Sequence, residues 1–188
     1  YSWVPRPAQD QMFALAARHL AKNGVLFVSY NLLPGWRIMQ VLRDFLSFHT
    51  RATAEPAERI RQALEAAELL PLISEGASSD AARFLGAYTR DLVQRLSELG
   101  IRREQALIHD IIADVNTPVY FSTFVNHAGR FGLRYLADAE PRRGLPESVS
   151  KDALQRLGQH VQTELDLEQY LDFAQMRMYR QSLLCRER

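Results

Sequence analysis

Five residues near the beginning of the chain, Tyr1, Trp3, Tyr30, Asn31 and Trp36, have the side chains best suited to a binding site. Aromatic rings can wall a flat ligand, and an amide can hydrogen-bond its polar edge. Tyr30-Asn31 follows Val25-Leu-Phe-Val28, an apolar and β-branched run behind the helix-stop pair Asn23-Gly24, which predicts a strand. Ligands of open α/β sheets bind beyond the carboxyl ends of strands, and both Tyr1–Trp3 and Tyr30–Asn31 are expected at such ends. The same rings equally suit the joint between an α/β tail and a helical domain, the commoner use of large aromatics.

Other candidates are weaker. His49 and His127 fall on or beside apolar helical stripes, where a buried, hydrogen-bonded histidine is commoner than a ligand. No His-Glu-x-x-His or paired-cysteine spacing marks a zinc site, so no metal is expected. Glu164, Glu168 and Asp172 recur every four residues, a helix face that could hold ammonium groups of a basic substrate but reads more simply as a solvated face. Arg177, Arg180, Arg186 and Arg188 make too short a basic run for nucleic acid. Cys185 has no partner cysteine and reads as a small apolar residue.

The elements that would position these residues are mostly helical. After Tyr1-Ser-Trp-Val-Pro-Arg-Pro7, the spacing of Met12, Leu15, Ala16, His19 and Leu20 predicts a helix ending at Asn23-Gly24. Pro34-Gly35 turns the chain out of the strand into a helix with the stripe Ile38, Val41, Leu42, Phe45, Leu46 and His49. A helix from Pro56 at its N1 position carries Ile60, Leu64, Ala67 and Leu70 and is expected to end or kink at Pro71. Ile73–Ser79 reads as a hinge loop. A Ser79-Asp80 cap then opens a helix striped by Phe84, Leu85, Tyr88, Leu92, Leu96 and Leu99, closed by Gly100. Short helices are expected over Leu107–Val115 and Val119–Phe131. Leu133–Ala137 is a second strand candidate, pairing with Val25–Ser29. After the Pro141–Pro146 loop come a Ser150-capped helix with Leu154, Leu157 and Val161, and a last helix from Asp166 to Met178.

Composition excludes whole classes of function. The 188 residues are 47% hydrophobic and 24% charged, ordinary for a globular chain able to bury a core. With 23 basic against 22 acidic side chains the net charge is +1, so there is no bulk electrostatic case for nucleic acid or an anionic membrane. The single cysteine fits a reducing cytoplasm, and no apolar run approaches the ~20 residues that span a bilayer. A cytoplasmic, soluble location is expected.

Tyr1-Ser-Trp-Val-Pro5, a helix, then Asn23-Gly-Val-Leu-Phe-Val-Ser-Tyr-Asn31 resembles the later part of a class I S-adenosylmethionine (SAM)-dependent methyltransferase fold, where the opening motif follows the fourth strand and the strand here would be the fifth. Tyr30–Arg37, Asn116–Phe121, Gly132–Leu136, Tyr170–Phe173 and Arg180–Cys185 resemble the predicted methyltransferase regulatory domain of bacteria. That family is usually fused behind a methyltransferase domain and is similar to the middle region of bacterial protein-lysine methyltransferases. The family's glycine-rich SAM loop has no counterpart here, since there is no Gly-x-Gly. Around His109-Asp-Ile-Ile-Ala-Asp114, Ile111 and Ala113 stand where a second histidine and a glutamate are expected.

These features imply a mainly α, multi-helix orthogonal bundle with one or two short strands left from or added to an α/β methyltransferase edge. Residues 1–33 are expected to be the C-terminal fragment of that α/β domain and residues 34–188 the helical regulatory domain. The implied function is a regulatory or substrate-positioning domain of a SAM-dependent methyltransferase, inactive as this isolated chain. It would bind no cofactor alone and work in cis with a catalytic domain on a protein substrate, with a homodimer as a further option. The alternatives are a helical interaction or dimerisation module without a part in catalysis, and an intact small methyltransferase with an unrecognisable cofactor site.

Overall fold

A computed structural model describes residues 1–98, 100, 111–140 and 150–187. The expected positions of Leu99, Leu107, Ile108, His109 and the Pro141–Pro146 loop lie outside these. Among the described residues there are seven helices and three strands, so the mainly α expectation holds. They are α1 (Arg6–His19), β1 (Leu26–Asn31), α2 (Trp36–His49), α3 (Pro56–Glu75), α4 (Asp80–Glu98), α5 (Phe121–Gly129), β2 (Leu133–Asp138), α6 (Lys151–Gly158), α7 (Glu164–Ala174) and β3 (Tyr179–Arg186). No helix of these is long and apolar enough to cross a membrane. The chain divides into two compact units, Tyr1–Trp36 with Thr117–Arg188, and Arg37–Asn116.

The first unit is built on a three-stranded sheet of order β1-β3-β2. Both outer strands run antiparallel to β3, with Leu26 opposite Leu184, Tyr30 opposite Arg180, and Tyr135 opposite Leu184. Direct pairing of β2 with β1, expected from sequence, is therefore corrected: β3 lies between them. The last helix is also shorter than expected. It ends at Ala174, and Tyr179–Arg186 is a strand. Alternation of side chains turns Arg180, Ser182 and Leu184 to the covered face, where all three are buried.

Helices α1 and α5 pack on that face through Phe13, Phe121, Phe124 and Ala128, against Val28, Tyr30, Leu32, Leu133 and Leu184. Phe13, rather than Leu15, turns α1 inward: it is fully buried while Leu15 is 57% exposed. Helix α7 is held by a capping box in which Thr163 accepts from the Asp166 amide and Asp166 accepts from the Thr163 amide. The cap residue is thus Thr163, three positions before the Asp166 expected from sequence. Replacing Thr163 by alanine should lower stability by about 1 kcal/mol in urea denaturation. An unchanged midpoint would show that tertiary packing alone fixes this helix end.

The second unit contains most of α2 with α3 and α4. Glu55 caps α3, its carboxylate accepting from the amides of Ala57 and Glu58, with Pro56 at the first position as expected. Pro71 neither ends nor closes this helix, which continues to Glu75; Pro71 is buried among the inward residues Ala67, Leu70 and Ser74. Helices α3 and α4 approach closely at Gly86, where a Cβ would stand 2.7 Å from that of Ser74. Phe84, expected in the inward stripe of α4, is 60% exposed, because Gly86 and Thr89 set the buried face instead. Arg43 on α2 donates to the carbonyls of Ile111 and Ala113, holding that irregular segment.

Candidate functional site

The carboxyl end of β1 is where the expected site residues converge. The backbone nitrogen of Tyr1 donates to the Ser29 carbonyl at 2.9 Å, and the Asn31 amide donates to Ser2 Oγ at 2.9 Å. The Ser2 carbonyl accepts from Thr117 N at 2.9 Å, and the Asn31 carbonyl from Val119 N at 3.1 Å. Gln9 of α1 reaches back to the Tyr1 and Val4 carbonyls, both at 3.1 Å. Tyr1–Trp3 thereby forms a strap pinned across the strand end. Its direction matters: from Tyr1 to Ser2 the partner on β1 advances from Ser29 to Asn31, so the strap climbs parallel to β1.

Beneath the strap lies an aromatic cluster. Tyr30 is fully buried and stacks on Phe124 with centroids 4.0 Å apart, while the Tyr1 ring meets Tyr30 and Phe124 edge-on. The Tyr1 hydroxyl is bonded to His127 Nδ1 at 2.8 Å, and His127 Nε2 to Asp10 Oδ1 at 2.7 Å. His127 is buried, and that burial holds its pKa below the ordinary histidine value against the pull of Asp10. Burial likewise pushes the Tyr1 and Tyr30 phenols above their usual range. Neither phenol is poised as a general base at neutral pH.

The Tyr30 hydroxyl is 2.9 Å from Ser182 Oγ, which leads to a buried charge cluster. Arg180 is fully buried in β3 and donates to both Asp172 oxygens at 3.1 Å, both Asp138 oxygens at 3.0 Å, and Glu168 Oε2 at 2.8 Å. Its guanidinium lies 4.1 Å above the Phe121 ring. Burial opposes its charge, yet Asp172 and Asp138 outweigh that penalty and hold its pKa above the usual arginine value. Glu168 and Asp172 are thus neither a solvated face nor open to a basic substrate: they are buried against an internal cation, and only Glu164 of the three is exposed.

Tyr1, Tyr30 and Asn31 are brought together at this end, all buried, with Trp3 following in the strap and half-buried. Trp36 is 5% exposed at the start of α2, its indole Nε1 buried without a hydrogen-bond partner among the described residues. Between Asn31 and Trp36, Gly35 meets the bend before β3, where an added Cβ would stand 2.1 Å from the Met176 carbonyl oxygen. A separate cleft of about 1220 Å³ opens beside β2, lined in part by Arg130, Arg134, Glu164 and Glu187. No group of three histidine, cysteine or acidic side chains among the described residues is placed to hold a metal. Nothing local in the sequence marks Gln9, Asp10 or Arg180 as a partner at this end of the sheet. The carboxylates at four-residue spacing on α7 were the one available signal for a buried cation.

Residues 103–186 match the family described as "Predicted methyltransferase regulatory domain", which bears out the resemblance read from the motifs. Individual relatives follow. The chain is 29% identical over 184 residues to the uncharacterized protein RP789 of Rickettsia prowazekii, covering 98% of this chain and 32% of that protein. It is 27% identical over 136 residues to the uncharacterized protein RP028 of the same organism, covering 72% of this chain and 52% of that one. Among solved structures it is similar to PKMT2 from Rickettsia typhi, with TM-score 0.80 and 27% identity over 99% of this chain and 33% of that one. The structure of PKMT2 in complex with AdoHcy is similar too, with TM-score 0.75 and 28% identity over 100% of this chain and 34% of that one. The chain therefore spans about a third of the length of RP789 and of PKMT2.

Proposed function

We propose that this chain is the regulatory or substrate-positioning part of a bacterial, cytoplasmic SAM-dependent methyltransferase, and that it is not catalytically competent alone. In this account residues 1–33 are the end of the catalytic α/β fold and residues 34–188 the regulatory part, of which residues 117–188 build onto the same sheet. The carrying observation is the strap that climbs parallel to β1 beside an edge that no strand among the described residues covers at Phe27. Ser29 and Asn31 make their strap bonds on that edge, so strand alternation turns the amides of Phe27 and Ser29 toward it as well. A further parallel strand leading into Tyr1, connected through α1, would make a β-α-β unit of the right-handed kind. The AdoHcy complex of PKMT2 supports SAM as the cofactor of the complete protein.

The groups at the β1 end do not make a SAM site by themselves. Tyr1, Ser2 and the Asn31 backbone are already engaged with one another and with His127, and no glycine-rich loop is present. In the complete enzyme this end would present Trp3, half-buried in the strap, as a wall of the ligand site, with Tyr1, Tyr30, Asn31 and Trp36 buried behind it. A protein side-chain amine is the proposed acceptor class, bound beyond that wall.

Amide hydrogen exchange tests the open edge. In the 188-residue chain Phe27 and Ser29 should exchange faster than Val28 and Tyr30, whose amides point to β3. In the complete protein Phe27 and Ser29 should become protected at least tenfold. Equal exchange in both contexts would sink the proposal that a catalytic sheet continues past β1.

A second account, a dimerisation module, draws on four large side chains of the helical unit, Phe48, Leu72, Ile73 and Phe84, each 59–64% exposed. Light scattering separates the two: a dimer dissociated by Leu72→Glu with SAM binding intact in the complete protein would favour the module.

A further inference from the structure

Three elements meet at His127: the strap through Tyr1, α1 through Asp10, and α5, which carries the histidine itself. The imidazole joins two groups of different demands. A carboxylate can only accept, so Nε2 must carry a proton and donate to Asp10. In the neutral ring Nδ1 then offers a lone pair to the Tyr1 hydroxyl proton, and every polar atom in the chain of bonds is satisfied. If Nδ1 is also protonated, it donates to the phenol oxygen, and the phenol proton must find another acceptor. The Tyr1 ring is surrounded by Phe13, Tyr30 and Phe124, none of which supplies a good one. An unsatisfied buried donor is destabilising, so protonation of His127 removes one of the contacts that hold the Tyr1 ring and weakens the strap.

We propose that Asp10, His127 and Tyr1 form a proton-operated latch on the Tyr1–Trp3 strap, closed while His127 is neutral and released when it is protonated, so that the ligand site at the β1 end responds to pH. The identity of that ligand rests on the proposed function; the latch itself does not. The titratable and charged groups facing His127 are the Tyr1 phenol, Asp10 and Arg6 on α1, and Arg130 just beyond α5. Asp10 is itself held by Arg6 at 3.2 Å. Burial lowers the His127 pKa, so the unfolded or unlatched state takes up the proton first. Latch stability is complete above about pH 6.5, the ordinary histidine value, and is lost as pH falls through the lower folded value.

The chain has two tryptophans, so the strap can be followed directly by the indole N–H signal of Trp3 in an NMR pH titration, with Trp36→Phe giving the assignment. In the complete protein SAM affinity is measured by calorimetry over the same range. The wild-type Trp3 signal should move with a midpoint below pH 6.5, and SAM affinity should fall tenfold or more across it. His127→Gln can donate to Asp10 and accept from Tyr1 without titrating, so both readouts become independent of pH. Asp10→Asn removes the charge that favours imidazolium, which shifts the midpoint to lower pH. Tyr1→Phe keeps the ring and removes the phenol proton that an imidazolium would strand, so its Trp3 signal should no longer follow the histidine. A Trp3 signal that ignores pH, or one that titrates alike in wild type and His127→Gln, overturns the latch. Absence of SAM binding at every pH, with the Trp3 titration as described, overturns the proposed ligand and leaves the latch standing.

Discussion

Replacing Arg180 by methionine should destabilise the chain by about 3–5 kcal/mol, the cost of breaking a buried ion pair on one side only. Arg180 is enclosed by Asp138, Glu168 and Asp172, and Arg177, 3.0 Å from Asp138, is the cation that stays beside them among the described residues. The loss has a pH signature. Burial already raises the Asp172 pKa against the pull of Arg180, so without the cation Asp172 keeps its proton to a higher pH still than in the unfolded chain. The folded state therefore gains that proton first as pH falls, and part of the lost stability returns in acid, above the ordinary carboxylate range. Arg180→Lys should recover little, because one ammonium cannot reproduce two forked contacts and a third carboxylate bond. Urea denaturation at pH 7 and pH 5 measures all of this. A variant as stable as wild type, or one that weakens further in acid, would mean the carboxylates do not depend on Arg180.

The other large effect is expected at Gly35. Its amide donates to the Arg177 carbonyl at 3.2 Å, and the Leu32 amide to the Met178 carbonyl at 2.8 Å, so the turn into α2 lies flat on the bend entering β3. Met176, in that bend, has φ of 47°, a conformation few side-chain-bearing residues adopt. A Cβ on Gly35 would meet backbone on the other side: the Met176 oxygen at 2.1 Å and the Arg177 carbonyl carbon at 2.6 Å. Backbone cannot rotate aside as a side chain can. Gly35→Ala should therefore part the two segments at a cost of about 3 kcal/mol, combining overpacking with lost hydrogen bonds. Gly129→Ala is the control, since a Cβ there meets nothing within 4 Å, and it should be neutral or slightly stabilising. Equal thermal midpoints for the two variants would contradict the packing described.

What the sequence made legible follows the range of the forces involved. Pro56 at the start of α3, the Ser150 cap of α6 and the apolar run of β1 are set by neighbours within a few residues, and they were read near their true places. Strand β3 was hidden because its inward positions are Arg180, Ser182 and Leu184, while Leu183 points outward; the usual apolar alternation is inverted. Only the distant carboxylates of β2 and α7 make an arginine tolerable there. At the candidate site the aromatic types and strand-end position were legible in Tyr1, Tyr30 and Asn31. The bond from Tyr1 to His127 joins residues 126 positions apart, and nothing local announces it. Pro71 shows the converse error: a strong local breaker was accommodated because its helix is packed along the α3–α4 contact.

Calorimetric titration with SAM, of this 188-residue chain and of the complete protein side by side, tests the central claim most directly. The account predicts stoichiometric binding by the complete protein and none by the chain, whose β1 end supplies one wall of a site built mainly by another part of the sequence. Stoichiometric, saturable binding of SAM by the 188 residues alone would contradict it.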